Sequence, residues 1–517
     1  MSTKNNSKNK MDRRDFVKSS SLIAGGLALS PTLLAGISAE RHFSVNSPMN
    51  TKTTIKLIIT GTVHEAAYEG SCRLGNLEGL TYEAEKNGLA RRLVRVKEQV
   101  KALDIPAGIE ILEPISMYSY VEKGNPEIMF SDEQLESLYE DDHKVDLYVV
   151  THMFPGVKIA ERYKKPVAIM QGAGWAVDMP ARLRYMGLEG YHVHNYDELL
   201  SLGKLLNARK AFANTKMLYV TNFPYQYPWG CTSSAVVNMD KIKEHYSFDY
   251  KFVDYEEFFA DMDNIVKDKR IAKIRKQIGK ELLNNARSSN MTLQDIEKSL
   301  DFYYATLESM EKYNCNAFTI ECHELCSSMN PWNRRFTPCL THALLKDNGL
   351  PAACEGDVNA LMAMMLKMYI SDKSVYMGNP FFNWDENTLR LKHSNCSLKM
   401  NGLSTPNTPY DIRSFATDGF GATLRHDFKQ HSGTPCTVGR FDPSGMKILV
   451  TKGEVIDGIA TEGYGCEQSV TMKVPDCYEL WRSSQNYGHH FALVYGDYTQ
   501  EIRDLGDMMQ FDVELIK

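Results

Sequence analysis

The stretch LARRLVRVKEQVKALDIPAGIEILE, residues 89–113, carries two different periods in one short span. Leu89, Leu93, Val96, Val100 and Leu103 recur at helical spacing with charged residues between them, and the Ile-rich residues 109–113 then read as a strand. A first apolar strand, IKLIIT at residues 55–60, precedes the helix. Strand, helix and strand in that order predict a parallel sheet covered on both faces. Residues 145–151 and 166–170 continue the alternation.

A second α/β stretch follows. Residues 217–221 and 317–321 read as strands, and Thr292-x-x-Asp295 reads as a helix start whose buried stripe is Ile296, Leu300, Tyr303 and Leu307. Beyond about residue 376 the pattern changes again. Residues 437–441, the turn Asp442-Pro-Ser-Gly445 and residues 447–451 predict a β-hairpin, with further strands at 469–474 and 491–495. The expected architecture is α/β: two Rossmann-like parallel-sheet domains, residues 53–172 and 173–350, then a β-rich, barrel-like C-terminal domain, residues 351–517. Gly172-Ala-Gly174 lacks the third glycine of a dinucleotide fingerprint, which argues against NAD. His192-Val-His194 has no carboxylate or Cys at ligand spacing and reads as a polar edge.

The 517 residues, 43% apolar and 24% charged, have the balance of a soluble globular chain of two or three domains. A net charge of −6 without a basic run in the body argues against nucleic acid as a partner. Residues 1–39 stand apart. A basic start, the RRDFVK motif at Arg13–Lys18, a short apolar run and the small residues Ile37-Ser38-Ala39 predict a twin-arginine export signal, then a linker over 40–52. Elsewhere no apolar run reaches the roughly 18–20 residues that span a bilayer. A soluble periplasmic protein, recognised by the twin-arginine export machinery and without stable membrane insertion, is the expectation. All 11 cysteines lie beyond residue 71. Cys322-x3-Cys326 lacks the second pair of a structural zinc site, so the cysteines read as reduced, buried small residues.

Three segments put acids and imidazoles at the ends of expected strands: FTIECHEL (318–325), ACEGDV (353–358) and NYGHHFALVYGD (486–497). Such strand ends are where α/β sheets bind ligands. Two carboxylates and one imidazole, with open positions for water and substrate oxygens, suit octahedral Mn²⁺ or Mg²⁺. Asp357 also fits a plain helix cap. The crowd of Met362, Met364, Met365 and Met368 after it reads as core filler.

The run CHELCSSMNPWNRRFTPCLTHALLKDNGLPAACEGDVNALMAMMLK (322–367) resembles the core of the L-fucose isomerase-like family, related more distantly to arabinose isomerases. The likeness continues through WDENTLRLKHSNC (384–396), GTPCTVGRF (433–441) and HHFALVYGD (489–497). It implies a metal-dependent aldose–ketose isomerase acting on a small monosaccharide, with Mn²⁺ as the expected cofactor, Mg²⁺ or another divalent cation as alternatives, and a homo-oligomer as the expected state. By the same resemblance the metal ligands are Glu324, Asp357 and His490, with Glu324 and Asp357 as the acid/base pair; Glu321 competes with Glu324 for the first position. Glu355, His393, Trp332 and His489 are expected to contact the sugar. His489 stands where fucose isomerases often have Asn. An epimerase or lyase on a modified sugar, or a non-catalytic exported sugar-binding protein, are the alternatives.

Overall fold

The computed structural model describes residues 43–65, 81–122, 128–223, 238–417, 419–459 and 463–517. The expected export signal lies outside the described residues, as does the beginning of the linker.

The first sheet grows from β1 (Thr53–His64), whose Ile and Leu side chains are buried on both faces, as a central parallel strand requires. It pairs with β2 (Ile109–Val121) on one side and β3 (Leu147–Val150) on the other. β4 (Val167–Met170) and β5 (Gly190–Val193) complete the parallel order β2-β1-β3-β4-β5. Helix α1 (Tyr82–Lys101) spans the sequence between β1 and β2, and the Thr81 hydroxyl caps its start. The expected polar edge at His192 is the outer strand β5.

The second sheet, also parallel, orders β7 (Asp249–Val253), β6 (Lys216–Val220), β8 (Ala317–Ile320) and the two-residue β9 (Ala352–Ala353) side by side. Helix α2 (Leu293–Lys312) begins with the capping box read from the sequence, the Thr292 and Asp295 side chains each meeting the other's backbone N–H. The crossover from β8 to β9 includes α3 (Cys322–Ser327) and α4 (Cys339–Asp347).

Past β9, α5 (Val358–Ser371) is apolar all round and almost wholly buried. A helix of that kind belongs inside a protein. It shares one cluster with the second sheet, through Met217 and Ala317, and with barrel residues Phe441, Ile448, Val450, Ala492 and Val494. Met362, Met364, Met365 and Met368 are fully buried there, filling core as expected.

The C-terminal strands β10 (Tyr376–Asn383), β11 (Thr388–Lys392), β14 (Pro435–Phe441), β15 (Lys447–Ile459), β16 (Ser469–Lys473) and β17 (Phe491–Tyr495) close into a six-stranded antiparallel barrel in the order β14-β17-β10-β11-β16-β15. Closure depends on the length of β15. Its first half pairs with β14, a register shift between Val455 and Asp457 follows, and its second half pairs with β16. β18 (Asp512–Ile516) adds parallel to β15, while β12 (Asp411–Ser414) and β13 (Ala422–Arg425) form a separate ribbon. Two parallel α/β sheets followed by a barrel is the architecture expected from the sequence.

Candidate active site

β8 and β9 run parallel as neighbours, so the residues just past their carboxyl ends are delivered to one place. Past β8 comes Glu321, fully buried, its Oε1 accepting the His323 N–H at 3.1 Å. Past β9 come Glu355, Gly356 and Asp357. Glu355 and Gly356 both have positive φ, 59° and 65°, which turns the chain sharply before α5. Gly356 also sits tight: a Cβ there would lie 2.3 Å from the Tyr219 hydroxyl and 3.0 Å from Glu321 Oε2.

Asp357 caps α5, Oδ1 accepting from Ala360 N at 2.9 Å. Its carboxylate also faces the Arg440 guanidinium, with Nη1 3.1 Å from Oδ2, and His490 Nδ1, 3.0 Å from Oδ2. Both Asp357 and Arg440 are essentially inaccessible to solvent. Burial opposes ionisation of Asp357, yet Arg440 and the His490 hydrogen bond outweigh it and hold the carboxyl down at about 2. An ionised carboxylate only accepts, so His490 Nδ1 donates to it.

The other ring nitrogen faces Glu355. His490 Nε2 lies 3.3 Å from Oε2, and His393 Nε2 lies 3.3 Å from the other oxygen, Oε1. Both ring nitrogens are buried and neither has an aligned hydrogen-bond partner among the described residues. One ligand atom from each of Glu355, His393 and His490 falls within 4.8 Å of the others. Burial works against a charged Glu355, but the two imidazoles pull its pKa far below the ordinary carboxylate range. His393 has Cys466 behind it, Sγ 3.7 Å from Nδ1. Burial disfavours charge on His393, while Cys466 and Glu355 raise its pKa well above the usual imidazole range. One carboxylate with two imidazoles is a donor set that suits Mn²⁺, Fe²⁺ or Zn²⁺, and the two orphaned nitrogens are what a cation would satisfy. His489 stacks on His490 with ring centroids 4.0 Å apart, and burial lowers its pKa to about 4, keeping it neutral.

The structure thus brings together five of the residues singled out from the sequence: Glu355, Asp357, His393, His489 and His490. Glu324 points elsewhere. Its oxygens accept from the Thr221 hydroxyl at 2.7 Å and from Asn222 N at 2.8 Å, which ties α3 to the end of β6. Trp332 is half exposed, its ring packed 5.8 Å from that of Phe420 and beneath the Arg335 guanidinium. Sequence reasoning missed Arg440 and Cys466. A charged residue in the otherwise uncharged strand β14 was the available signal for Arg440; nothing local marks Cys466.

No protein-family profile matches the chain. It is 23% identical over 440 residues to proteins named sulfoquinovose isomerase from Priestia aryabhattai and from Priestia megaterium, an overlap of 76% of this chain and 92% of each relative. It is also 25% identical over 231 residues to a protein of the same name from Alkalicoccus urumqiensis, covering 42% of this chain and 48% of that one.

Proposed function

We propose that this protein is an aldose–ketose isomerase for a small sugar, using a divalent cation held by Glu355, His393 and His490. The observation that carries this reading is the convergence of two buried imidazole nitrogens, neither with an aligned hydrogen bond among the described residues, on the two oxygens of one carboxylate that follows a parallel strand. When bound, the cation supplies Lewis-acid polarisation of the sugar's O1 and O2 as charge develops there.

The remaining work falls to the chain. Asp357, kept ionised by Arg440, fixes the His490 tautomer and ring orientation, the usual task of a carboxylate behind a ligating histidine. In this reading Glu321, buried beside Gly356, takes the proton from one carbon and returns it to the other. Near-complete burial of His393, Asp357 and His490 keeps water off the charged groups and strengthens their interactions. The name shared by the relatives makes sulfoquinovose, a sulfonated aldose, the first substrate to test. Export through the twin-arginine pathway and assembly into a homo-oligomer complete the proposal.

The test is turnover of sulfoquinovose and a panel of aldoses in D₂O with added Mn²⁺, followed by NMR. Isomerisation incorporates deuterium at C2 of recovered aldose and conserves its composition, and Glu355→Gln should lower turnover by at least about 100-fold. Loss of water or of a fragment from the sugar, or full activity in Glu355→Gln, refutes the assignment.

A further inference from the structure

Directly behind the acids lies a second cluster of a different chemical character. Cys322 follows Glu321 and Cys354 precedes Glu355, and the two thiols meet just past the ends of β8 and β9, Sγ to Sγ at 3.8 Å. His342 comes to the same place from α4, its ring 5.5 Å from that of Phe318. It is fully buried, and neither of its ring nitrogens has a hydrogen-bond partner among the described residues. One ligand atom from each of Cys322, His342 and Cys354 lies within 4.8 Å of the other two.

A buried polar atom without a partner costs roughly 1–3 kcal/mol, so two on one imidazole call for an explanation. A simple thiol–thiol contact leaves both nitrogens orphaned. A disulfide needs its sulfurs at about 2.05 Å and does nothing for His342. A bound metal accounts for all three residues together. Two zinc–thiolate bonds of about 2.3 Å at the tetrahedral angle hold their sulfurs about 3.75 Å apart. The observed separation is 3.8 Å.

We infer that Cys322, His342 and Cys354 form a buried zinc-binding site distinct from the Glu355–His393–His490 cluster. Three protein ligands leave one tetrahedral position. That position is open to water or to a further ligand. Thiolate and imidazole ligands favour zinc, while a carboxylate with imidazoles accommodates a harder cation, so the two sites select different metals. The zinc pins from behind the two loops that carry Glu321 and Glu355, and the site stands whether or not the isomerase reading holds.

The test uses the full chain. Elemental analysis of the purified protein should find one zinc per chain, lost in Cys354→Ser and retained in Glu355→Gln. Co²⁺ added to chelator-stripped wild-type protein should give an intense near-ultraviolet thiolate-to-cobalt charge-transfer band that saturates at one equivalent. This spectrum needs no variant, so a Cys354→Ser chain that fails to fold leaves the question decidable. The inference is overturned if wild-type protein gives no such band, if the band is lost in Glu355→Gln but kept in Cys354→Ser, or if peptide mapping without reductant finds Cys322 joined to Cys354.

Discussion

Replacing Asp357 by Asn separates two roles that this carboxylate could play, holding the cation directly or orienting the histidine that does. The amide keeps an acceptor oxygen for Ala360 N or for His490 Nδ1, yet it loses the charge that faces Arg440 across 3.1 Å. Arg440 has about 1% of its side chain exposed and retains only the Phe441 carbonyl as a hydrogen-bond acceptor, through Nε at 3.2 Å. A buried charge stripped of its partner costs about 3–5 kcal/mol. In a chain of this size that lowers the melting temperature by on the order of 3–5 °C. Loss of an orienting carboxylate behind a ligand histidine weakens metal binding by about 10–100-fold, or about 1.4–2.8 kcal/mol. Mn²⁺ titration by calorimetry, with melting curves on the same samples, reads both numbers. Adding Arg440→Met should recover part of the melting temperature without restoring metal affinity. Metal binding abolished as completely as in Glu355→Gln would make Asp357 a direct ligand, and unchanged affinity would remove its orienting role; either result refutes the argument.

Lys367, fully buried in α5, has its pKa lowered by burial to about 7 and donates only to the Gly439 carbonyl at 3.2 Å. Its folded value lies below its unfolded one, so stability is lost as pH falls from about 10 to about 7. Lys367→Met should therefore stabilise the protein near neutral pH, by up to about 5 kcal/mol, and flatten denaturation midpoints across that window. An unchanged pH profile counts against a strongly depressed lysine. Gly356→Ala places a Cβ 2.3 Å from the Tyr219 hydroxyl at a φ of 65°, which should cost about 2–4 kcal/mol and displace Glu355; wild-type melting and turnover would contradict the close approach. Glu324→Gln should lower stability by about 1–3 kcal/mol while leaving kcat within about tenfold. Loss of bound metal in that variant would return Glu324 to the ligand set.

The architecture was legible in the sequence because its signals are local. The change of period between residues 89 and 113, the Thr292–Asp295 capping box and the Asp442–Gly445 turn each act within a few residues, and all three appear as read. Strands such as β7 and β18 escaped because their half-buried, mixed side chains resemble loops in composition. The site was legible as segments and illegible as geometry. Glu321 and Glu324 lie three residues apart, and no periodicity tells which one faces the cleft; a hydroxyl and an amide at the end of β6, about a hundred residues earlier, engage Glu324. Glu355 and Asp357 raised a similar question. The positive φ at Glu355 and Gly356 sets one acid between the His393 and His490 Nε2 atoms and leaves the other as helix cap, Arg440 partner and acceptor for His490 Nδ1.

The Asp357 contacts have a consequence for the order of folding. They close over 83 residues to Arg440 and 133 to His490, whereas the β8–β9 pairing and the capping of α5 join nearer neighbours. Long closures pay their loop entropy before any contact repays it, and they slow the step that forms them. The β8–β9 pair and the cap of α5 should thus be in place while Asp357 still faces an empty seat, with Arg440 and His490 arriving later. In a stopped-flow refolding experiment, far-ultraviolet circular dichroism should recover in an early phase, and metal-binding competence should lag behind it until Arg440 and His490 dock.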